Sequence, residues 1–325
     1  MSFDGFKTLI KEGDTVILYL TIHQVYAVTA ESKTLSKKGT LVDNVFQTPY
    51  GALKCGDLIN KEYGSKINLS KGWGYILQPT PELWTLTLPH RTQIIYTPDA
   101  SMIVLQLELS PGNIVIECGT GSGSLSHALI RSIKPHGHLY TFDFHENRVN
   151  IAQREFNSHG LSKYVTVQQR DVCADGFGTE LEKKADAVFL DLPHPWLAIP
   201  HAAKCIKDTG GRICSFSPCI EQVQKACLKL KDVGFQELQT VEVLQTQYSV
   251  QTKSLSVLNL EFLKSPKLDN GSVKNEKESS RTLTAAPPVQ QPGHTGFLTF
   301  ATLPPIWARN IRITLDECNN AEMDE

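Results

Sequence analysis

The chain has no basic surplus. Its 325 residues carry 32 lysines and arginines against 34 aspartates and glutamates, a formal net charge of −2 at pH 7. No global field draws a polyanion, so a nucleic-acid partner has to be met by a local basic patch or by a second subunit. No apolar run approaches the roughly 20 residues that span a bilayer, and Met1-Ser2-Phe3-Asp4-Gly5 lacks the basic and apolar regions of a secretory leader, so a soluble protein is expected. The eight cysteines form no C-x-x-C pair. Reduced intracellular thiols are therefore expected, and no metal site. No internal repeat is visible. With 41% hydrophobic and 20% charged residues, the chain can bury a large core, as one main domain with a smaller one.

What the chain does contain is a glycine-rich centre. Val115-Ile116-Glu117-Cys118-Gly119-Thr120-Gly121-Ser122-Gly123-Ser124 reads as a buried strand ending in a three-glycine turn that opens a helix. Such a turn lets a ligand approach the main chain and the helix N-terminus. Its spacing is G-x-G-x-G, not the G-x-G-x-x-G of dinucleotide folds, which favours S-adenosylmethionine over a nicotinamide because no pyrophosphate has to be seated. The plain alternative is a tight turn with no ligand. Downstream, Leu139–Asp143 is an apolar strand ending in a carboxylate about twenty residues after the glycines, where α/β cofactor folds place the acid that takes ribose hydroxyls. Tyr164–Gln168 runs on to Asp171, and Ala187–Leu190 runs on to Asp191. Ligands of open parallel sheets sit outside the carboxyl ends of the strands, so these three aspartates are expected along one crevice. Each alone would read as a helix cap or turn residue.

Short apolar runs over residues 1–78 have the spacing of a small β-barrel or sandwich, and Pro79-Thr80-Pro81 marks its boundary. From Glu82 to about Ser110 the pattern is mainly helical, with a start at Pro98-Asp99-Ala100-Ser101. Residues 112–218 alternate strand and helix, which calls for a parallel, doubly wound α/β sheet. Gly210–Pro218 reads as its fifth strand, and Ile220–Leu230 as an amphipathic helix capped by Gly234. Glu237–Leu244 and Gly296–Ala301 read as an antiparallel pair at the sheet edge. The α/β domain accordingly spans 79–263, a polar, proline-containing stretch at 264–292 reads as a disordered insertion loop, 293–303 as a returning edge strand, and 304–325 as an extension with no assigned role.

The glycine run, Asp143, Asp171-Val172 and Asp191-Leu192-Pro193-His194-Pro195-Trp196 resemble the catalytic-subunit family of eukaryotic tRNA (adenine(58)-N(1))-methyltransferases. So do Pro81-Glu82-Leu83-Trp84-Thr85, the run Pro89–Tyr96 and Ser215–Gln224. The likeness runs nearly end to end but fails in the 264–292 stretch and beyond Leu303. Asp143 stands where that family commonly has Glu, and His194 where it can have Ser. The resemblance implies a Rossmann-like class I methyltransferase domain behind a small β-barrel domain, with S-adenosyl-L-methionine as cofactor and N1 of adenine 58 in the tRNA T-loop as target. It implies Asp191 as the catalytic residue, and cofactor contacts from Gln93, Ile95, Glu117, Gly119, Thr120, Gly121, Ser122, Gly123, Ser124, Asp143, Arg148, Asp171, Val172 and Asp191. On the residues alone, Ile95 reads as core and Arg148 as a solvated helix position. Pro193, Pro195 and Trp196 would stiffen the loop after Asp191 and wall a base pocket, Trp196 reading equally well as core. A heterotetramer is implied, two catalytic chains with two copies of a related non-catalytic RNA-binding subunit, and a nuclear location. The alternatives are an S-adenosylmethionine-dependent methyltransferase of another RNA or of protein, an NAD-dependent dehydrogenase, and a non-catalytic scaffold paralogue. The dehydrogenase is disfavoured by the glycine spacing and by Asp191-Leu192-Pro193. The scaffold should have lost the glycines or Asp191.

Overall fold

Residues up to Leu77 are rich in β-branched and aromatic side chains, which suit a pleated, half-buried surface, and they build a β-rich lobe. In the computed structural model, which describes residues 3–36, 39–89, 91–256, 279–289 and 295–309, its strands are β1 (Thr15–Thr21), β2 (Gln24–Thr29), β3 (Lys33–Leu35), β4 (Leu41–Asp43), β5 (Val45–Thr48), β6 (Gly51–Lys54), β7 (Lys66–Asn68) and β8 (Trp73–Leu77). They form an antiparallel sheet of order β2-β1-β8-β7 and two hairpins, β3–β4 and β5–β6. Leu18, Leu53, Leu58 and Ile76 fill the lobe's own core.

Two helices follow. The Thr80 hydroxyl accepts from Leu83 N at 3.3 Å at the start of α1 (Pro81–Thr87), with Pro81 in its first turn. This is the expected N-terminal chemistry, since proline lacks the N–H that would go unpaired there. α2 (Thr97–Gln106) opens with Pro98, as read from the sequence. The expected helical stretch is broken between them, where residues 91–96 run as a strap over the glycine turn.

Residues 112–218 alternate as anticipated: β9 (Ile114–Cys118), α3 (Ser124–Ile133), β10 (His138–Asp143), α4 (Glu146–His159), β11 (Val165–Gln169), α5 (Val172–Asp175), β12 (Ala187–Asp191), α6 (Pro195–Cys205) and β13 (Gly211–Ser217); α7 (Ile220–Val233), β14 (Gln236–Val241), β15 (Ser249–Ser256), β16 (Ser279–Ala286), β17 (Phe297–Leu303) and α8 (Ile306–Arg309) follow. Gly234 closes α7 in the left-handed conformation, φ +98°. The large sheet has order β11-β10-β9-β12-β13-β17-β14. Its first five strands are parallel. Val115, Leu139 and Phe189 face one apolar layer, and Ile116, Val188 and Ile213 the other, which explains why these strands read as continuous apolar runs. The chain winds outward from β9 through β10 to β11 and then crosses back to β12, so the switch point lies between β9 and β12.

Two expectations are corrected. The returning strand β17 is not at the edge: it pairs antiparallel with both β13 and β14, and β14 is the edge. A strand buried on both sides suits Phe297-Leu298-Thr299-Phe300-Ala301, most of it buried. The 264–292 stretch lies partly outside the described residues, and its described part contains β16, which pairs with β15 over eight residues. The chain divides into one unit of residues 1–243 with 295–325 and a second, Leu244–His294, that holds this hairpin. Of the 304–325 extension, only the part through Arg309 is described.

Candidate active site

The three glycines of the turn after β9 all adopt left-handed backbone, φ +92° at Gly119, +50° at Gly121 and +74° at Gly123. Neighbouring chain explains two of them. A Cβ on Gly119 would stand 2.5 Å from the Asp191 carbonyl oxygen, and one on Gly121 would stand 2.7 Å from the Thr92 hydroxyl. The turn is thus pressed between the end of β12 and the strap. Gly119 N and Thr120 N both donate to the Phe142 carbonyl, at 2.8 and 3.2 Å, which locks the turn to the end of β10.

Asp143 caps that arrangement. One of its oxygens accepts from Gly121 N at 3.1 Å, the other from His145 N at 2.9 Å, and the Arg148 guanidinium lies 3.5 Å away. An ionised carboxylate offers about four acceptor positions, so this buried side chain retains capacity for a ligand hydroxyl. Asp191 ends β12, half-buried. Burial, and secondly the charge of Asp143, push its carboxyl up to about 6. Glu117 is fully buried behind the turn and accepts from Ser126 at 2.6 Å. Burial pushes it up to about 7, opposed by hydrogen bonds from Ser126 and Thr141 and reinforced by the charges of Asp191 and Asp143. Three mutually repelling carboxyls at one point favour a ligand that brings positive charge.

A cleft of about 480 Å³ opens at this switch point. Of the cofactor contacts implied by the resemblance, Gly119, Asp143, Arg148, Asp171, Val172 and Asp191 line it. The three strand-end aspartates do share one crevice. Asp171 also caps a helix, accepting from Cys173 N and Ala174 N at 3.0 and 3.3 Å, so both of its readings hold. The others do not line the cleft. Glu117 and Thr120 are buried beneath it, Thr120 sharing a hydrogen bond with Thr141 at 2.7 Å. Gly121 and Gly123 shape the turn. Ser122 Oγ accepts from Arg91 N and Thr92 N, and Ser124 Oγ donates to Ile95 O at 2.8 Å, so these two serines hold the strap. Ile95 is core, and Gln93 is exposed on the strap. Trp196 does not wall the cleft: Leu192, Pro193, His194 and Leu197 do.

Sequence reasoning missed the clamp behind the strap. Arg91 makes a two-pronged pair with Glu155 at 2.6 and 2.9 Å and also donates to Ser122 O. No local signal announces a pair 64 residues apart. It also missed Phe144, exposed yet lining the cleft beside Asp143; an aromatic residue directly after a strand-end acid is the clue. Under the turn lies a buried histidine pair. The Gly123 carbonyl can only accept, so His127 Nδ1–H donates to it at 2.6 Å, His127 Nε2 accepts, and His159 Nδ1–H supplies the 2.9 Å bond between the rings. Burial lowers His127 to about 4; burial, and secondly the neighbouring ring, lower His159 to about 2. Among the described residues no group of three or more His, Cys, Asp or Glu is placed to hold a metal, and no helix is long and apolar enough to cross a membrane.

Residues 72–303 match the family described as tRNA methyltransferase complex GCD14 subunit. The tRNA (adenine(58)-N(1))-methyltransferase catalytic subunit of Dictyostelium discoideum is 42% identical over 316 residues, 90% of this chain and 96% of that protein. Among solved structures, a SAM-dependent O-methyltransferase from Thermotoga maritima matches with a TM-score of 0.71 at 27% identity, over 91% of this chain and 95% of that one. A tRNA (m1A58) methyltransferase from Aquifex aeolicus shares the fold, with a TM-score of 0.65 at 24% identity over 90% and 98% of the two chains. The β-rich lobe and the Rossmann-like sheet are therefore those of a class I methyltransferase, and the chain belongs to the tRNA methyltransferase complex GCD14 subunit family.

Proposed function

We propose that this chain is the catalytic subunit of a tRNA methyltransferase that transfers the methyl group of S-adenosylmethionine to N1 of adenine 58. The observation that carries the reading is the meeting of Asp191 and the bare Gly119 backbone at the mouth of a cleft whose next strand ends in Asp143. The cleft fits the cofactor. Gly119 lines it with bare backbone, Asp143 keeps acceptor capacity for vicinal hydroxyls, and the carboxyl cluster favours a cation. When bound, S-adenosylmethionine supplies an electrophilic methyl on a positively charged sulfur. Asp171 and Val172 form the wall that suits its adenine ring, and Arg148 orients Asp143.

Asp191 acts on the target base. Adenine N1 already carries a lone pair, so no proton has to leave first, but the ring becomes cationic as its new bond forms. An ionised Asp191 accepting from the exocyclic amine raises electron density at N1 and stabilises that charge. With its carboxyl near 6, it is ionised at neutral pH yet poorly solvated, the condition under which a developing positive charge is stabilised most. Intact glycines and an intact Asp191 speak against a scaffold paralogue.

The net charge of −2 supports the second half of the proposal, an α2β2 heterotetramer in which a related non-catalytic subunit carries much of the RNA affinity; a nuclear location goes with it. The test is mass spectrometry of tRNA nucleosides after incubation with labelled donor, with and without the co-purified partner. Label in N1-methyladenosine at position 58, strongest with the partner present, is the expected result. Label in another nucleoside or in protein overturns the substrate assignment.

A further inference from the structure

Trp196 is placed oddly for a core residue. It lies in the first turn of α6, half-exposed, and belongs to neither apolar layer of the sheet. Its ring instead meets two exposed neighbours: His194, at 5.0 Å between ring centroids with planes inclined by 49°, and the Lys225 ammonium on α7, 4.8 Å from the ring centre. His194 is shared with the cleft, which it lines beside Asp191. A contiguous strip of imidazole, indole and ammonium therefore begins at the edge of the candidate active site.

The strip is held rigid from beneath. Pro195 is buried at the start of α6, and the Gln222 side chain donates to the Pro193 carbonyl at 3.0 Å while accepting from Cys219 N at 3.2 Å, tying the loop after β12 to the first turn of α7. The His194 side chain does not cap α6, so its ring is spent neither on the helix nor on the core. Aromatic faces beside a cation are what unpaired nucleotides use: bases stack on the rings whatever their identity, and a lysine meets the phosphate. A base buried in folded RNA has to leave its stack to reach a catalytic carboxylate, and its neighbour is then left without a stacking partner.

We propose that His194, Trp196 and Lys225 form the seat for the unpaired nucleotide next to the target adenine, its base against the two rings and its phosphate at Lys225. The assignment rests on the RNA-methyltransferase reading of the cleft and adds to it the path by which the RNA leaves. It also explains how a chain with no net positive charge contributes RNA contacts of its own.

The experiment compares wild type, Trp196→Ala, Trp196→Phe, Lys225→Glu and Lys225→Arg, each purified with its partner subunit, for tRNA binding at several salt concentrations, for KM and kcat of methyl transfer, and for S-adenosylmethionine affinity. Trp196→Ala is expected to raise the KM for tRNA about fivefold to a hundredfold, the range of one base–aromatic stack, with Trp196→Phe near wild type. Lys225→Glu is expected to weaken tRNA binding and lower the salt slope by about one, with Lys225→Arg restoring both. Donor affinity should stay unchanged in all four. If wild type methylates adenine 58 and the Ala and Glu variants bind tRNA as it does, the seat alone is overturned. If donor affinity falls in parallel with tRNA affinity, the strip only supports the fold and the proposal fails. If wild type does not methylate tRNA, the reading of the cleft falls, and the occupant of the strip with it.

Discussion

Replacing Gly119 by alanine probes the closest backbone approach in the site. The residue sits at φ +92°, where an L side chain costs about 1–2 kcal/mol. The added methyl would stand 2.5 Å from the Asp191 carbonyl oxygen and 3.3 Å from the Asp191 Cβ. Neither atom can yield cheaply, because Asp191 and Leu190 are paired across to Phe216 and Cys118 in the flanking strands. Overpacking of this kind adds about 1–3 kcal/mol. The expected loss is about 2–5 kcal/mol, enough to lower the melting temperature by several degrees without unfolding a domain of ordinary stability. The displacement falls on the catalytic carboxyl and on the cradle, so S-adenosylmethionine should bind at least about tenfold more weakly, or about 1.4 kcal/mol. Gly112 provides the control, since it has φ +99° but its Cβ would meet nothing nearer than the His136 Cβ at 4.0 Å. Thermal melts and calorimetric donor titration of Gly119→Ala and Gly112→Ala separate backbone strain from contact. Equal destabilisation of the two, with donor affinity intact in Gly119→Ala, would refute the close approach as the reason for the glycine.

Asp191→Asn should abolish methyl transfer yet keep most donor affinity, and calorimetry showing no donor binding would remove Asp191 from its role toward the base. The same variant should be more stable than wild type at pH 8 by about 1–3 kcal/mol: a raised carboxyl penalises the ionised folded state increasingly from its unfolded value near 4 up to about 6 and fully above that. At pH 3 the gain should vanish, and an equal gain at both values would contradict the assignment. Asp143→Ala should weaken S-adenosylmethionine binding by about 1–3 kcal/mol, the cost of leaving hydroxyl partners unpaired; an unchanged dissociation constant would mean that Asp143 only braces the turn. The His127 and His159 rings should both stay neutral at pH 5.5 by nitrogen-15 NMR, in the tautomers derived above, and titration of either near 6.5 would discard that arrangement. Because free histidines take up protons first, this pair loses stability as pH falls below about 6.5. Glu117 and Asp191, with raised values, gain it over the same fall, so wild-type stability should change little between pH 7.5 and 5.

The parts of the site legible in the sequence are those with a local cause. Gly119, Gly121 and Gly123 announce a turn whose backbone side chains cannot share, and Asp143, Asp171 and Asp191 each end an apolar run, so the crevice could be drawn before any fold was known. The strap could not. Ser122 and Ser124 looked like cofactor contacts because they sit in the glycine run, but their partners, Arg91, Thr92 and Ile95, lie about thirty residues earlier, and hydrogen bonds over such separations leave no periodicity. β17 shows the same limit in the sheet. Its apolar residues show that it is buried, whereas its place between β13 and β14 depends on pairing that alternation does not encode. Trp196, read as a pocket wall or as core, is neither in the cleft lining nor in the apolar layers: apolar character signals burial on average, and a ring kept half-exposed beside a lysine breaks that average.

The order of the last strands has a consequence for how the chain can change length. Val241 at the end of β14 pairs with Leu298 at the start of β17, so the chain leaves the sheet and re-enters it at a single corner, and everything from 244 to 294 is strung between two neighbouring residues. Closing a longer loop costs only a logarithmic amount of entropy. That corner is an expansion joint, where sequence can be added, or cut back to a two-residue Asn-Gly hairpin turn, while the register that holds Asp191 at the far side of β13 stays as it is.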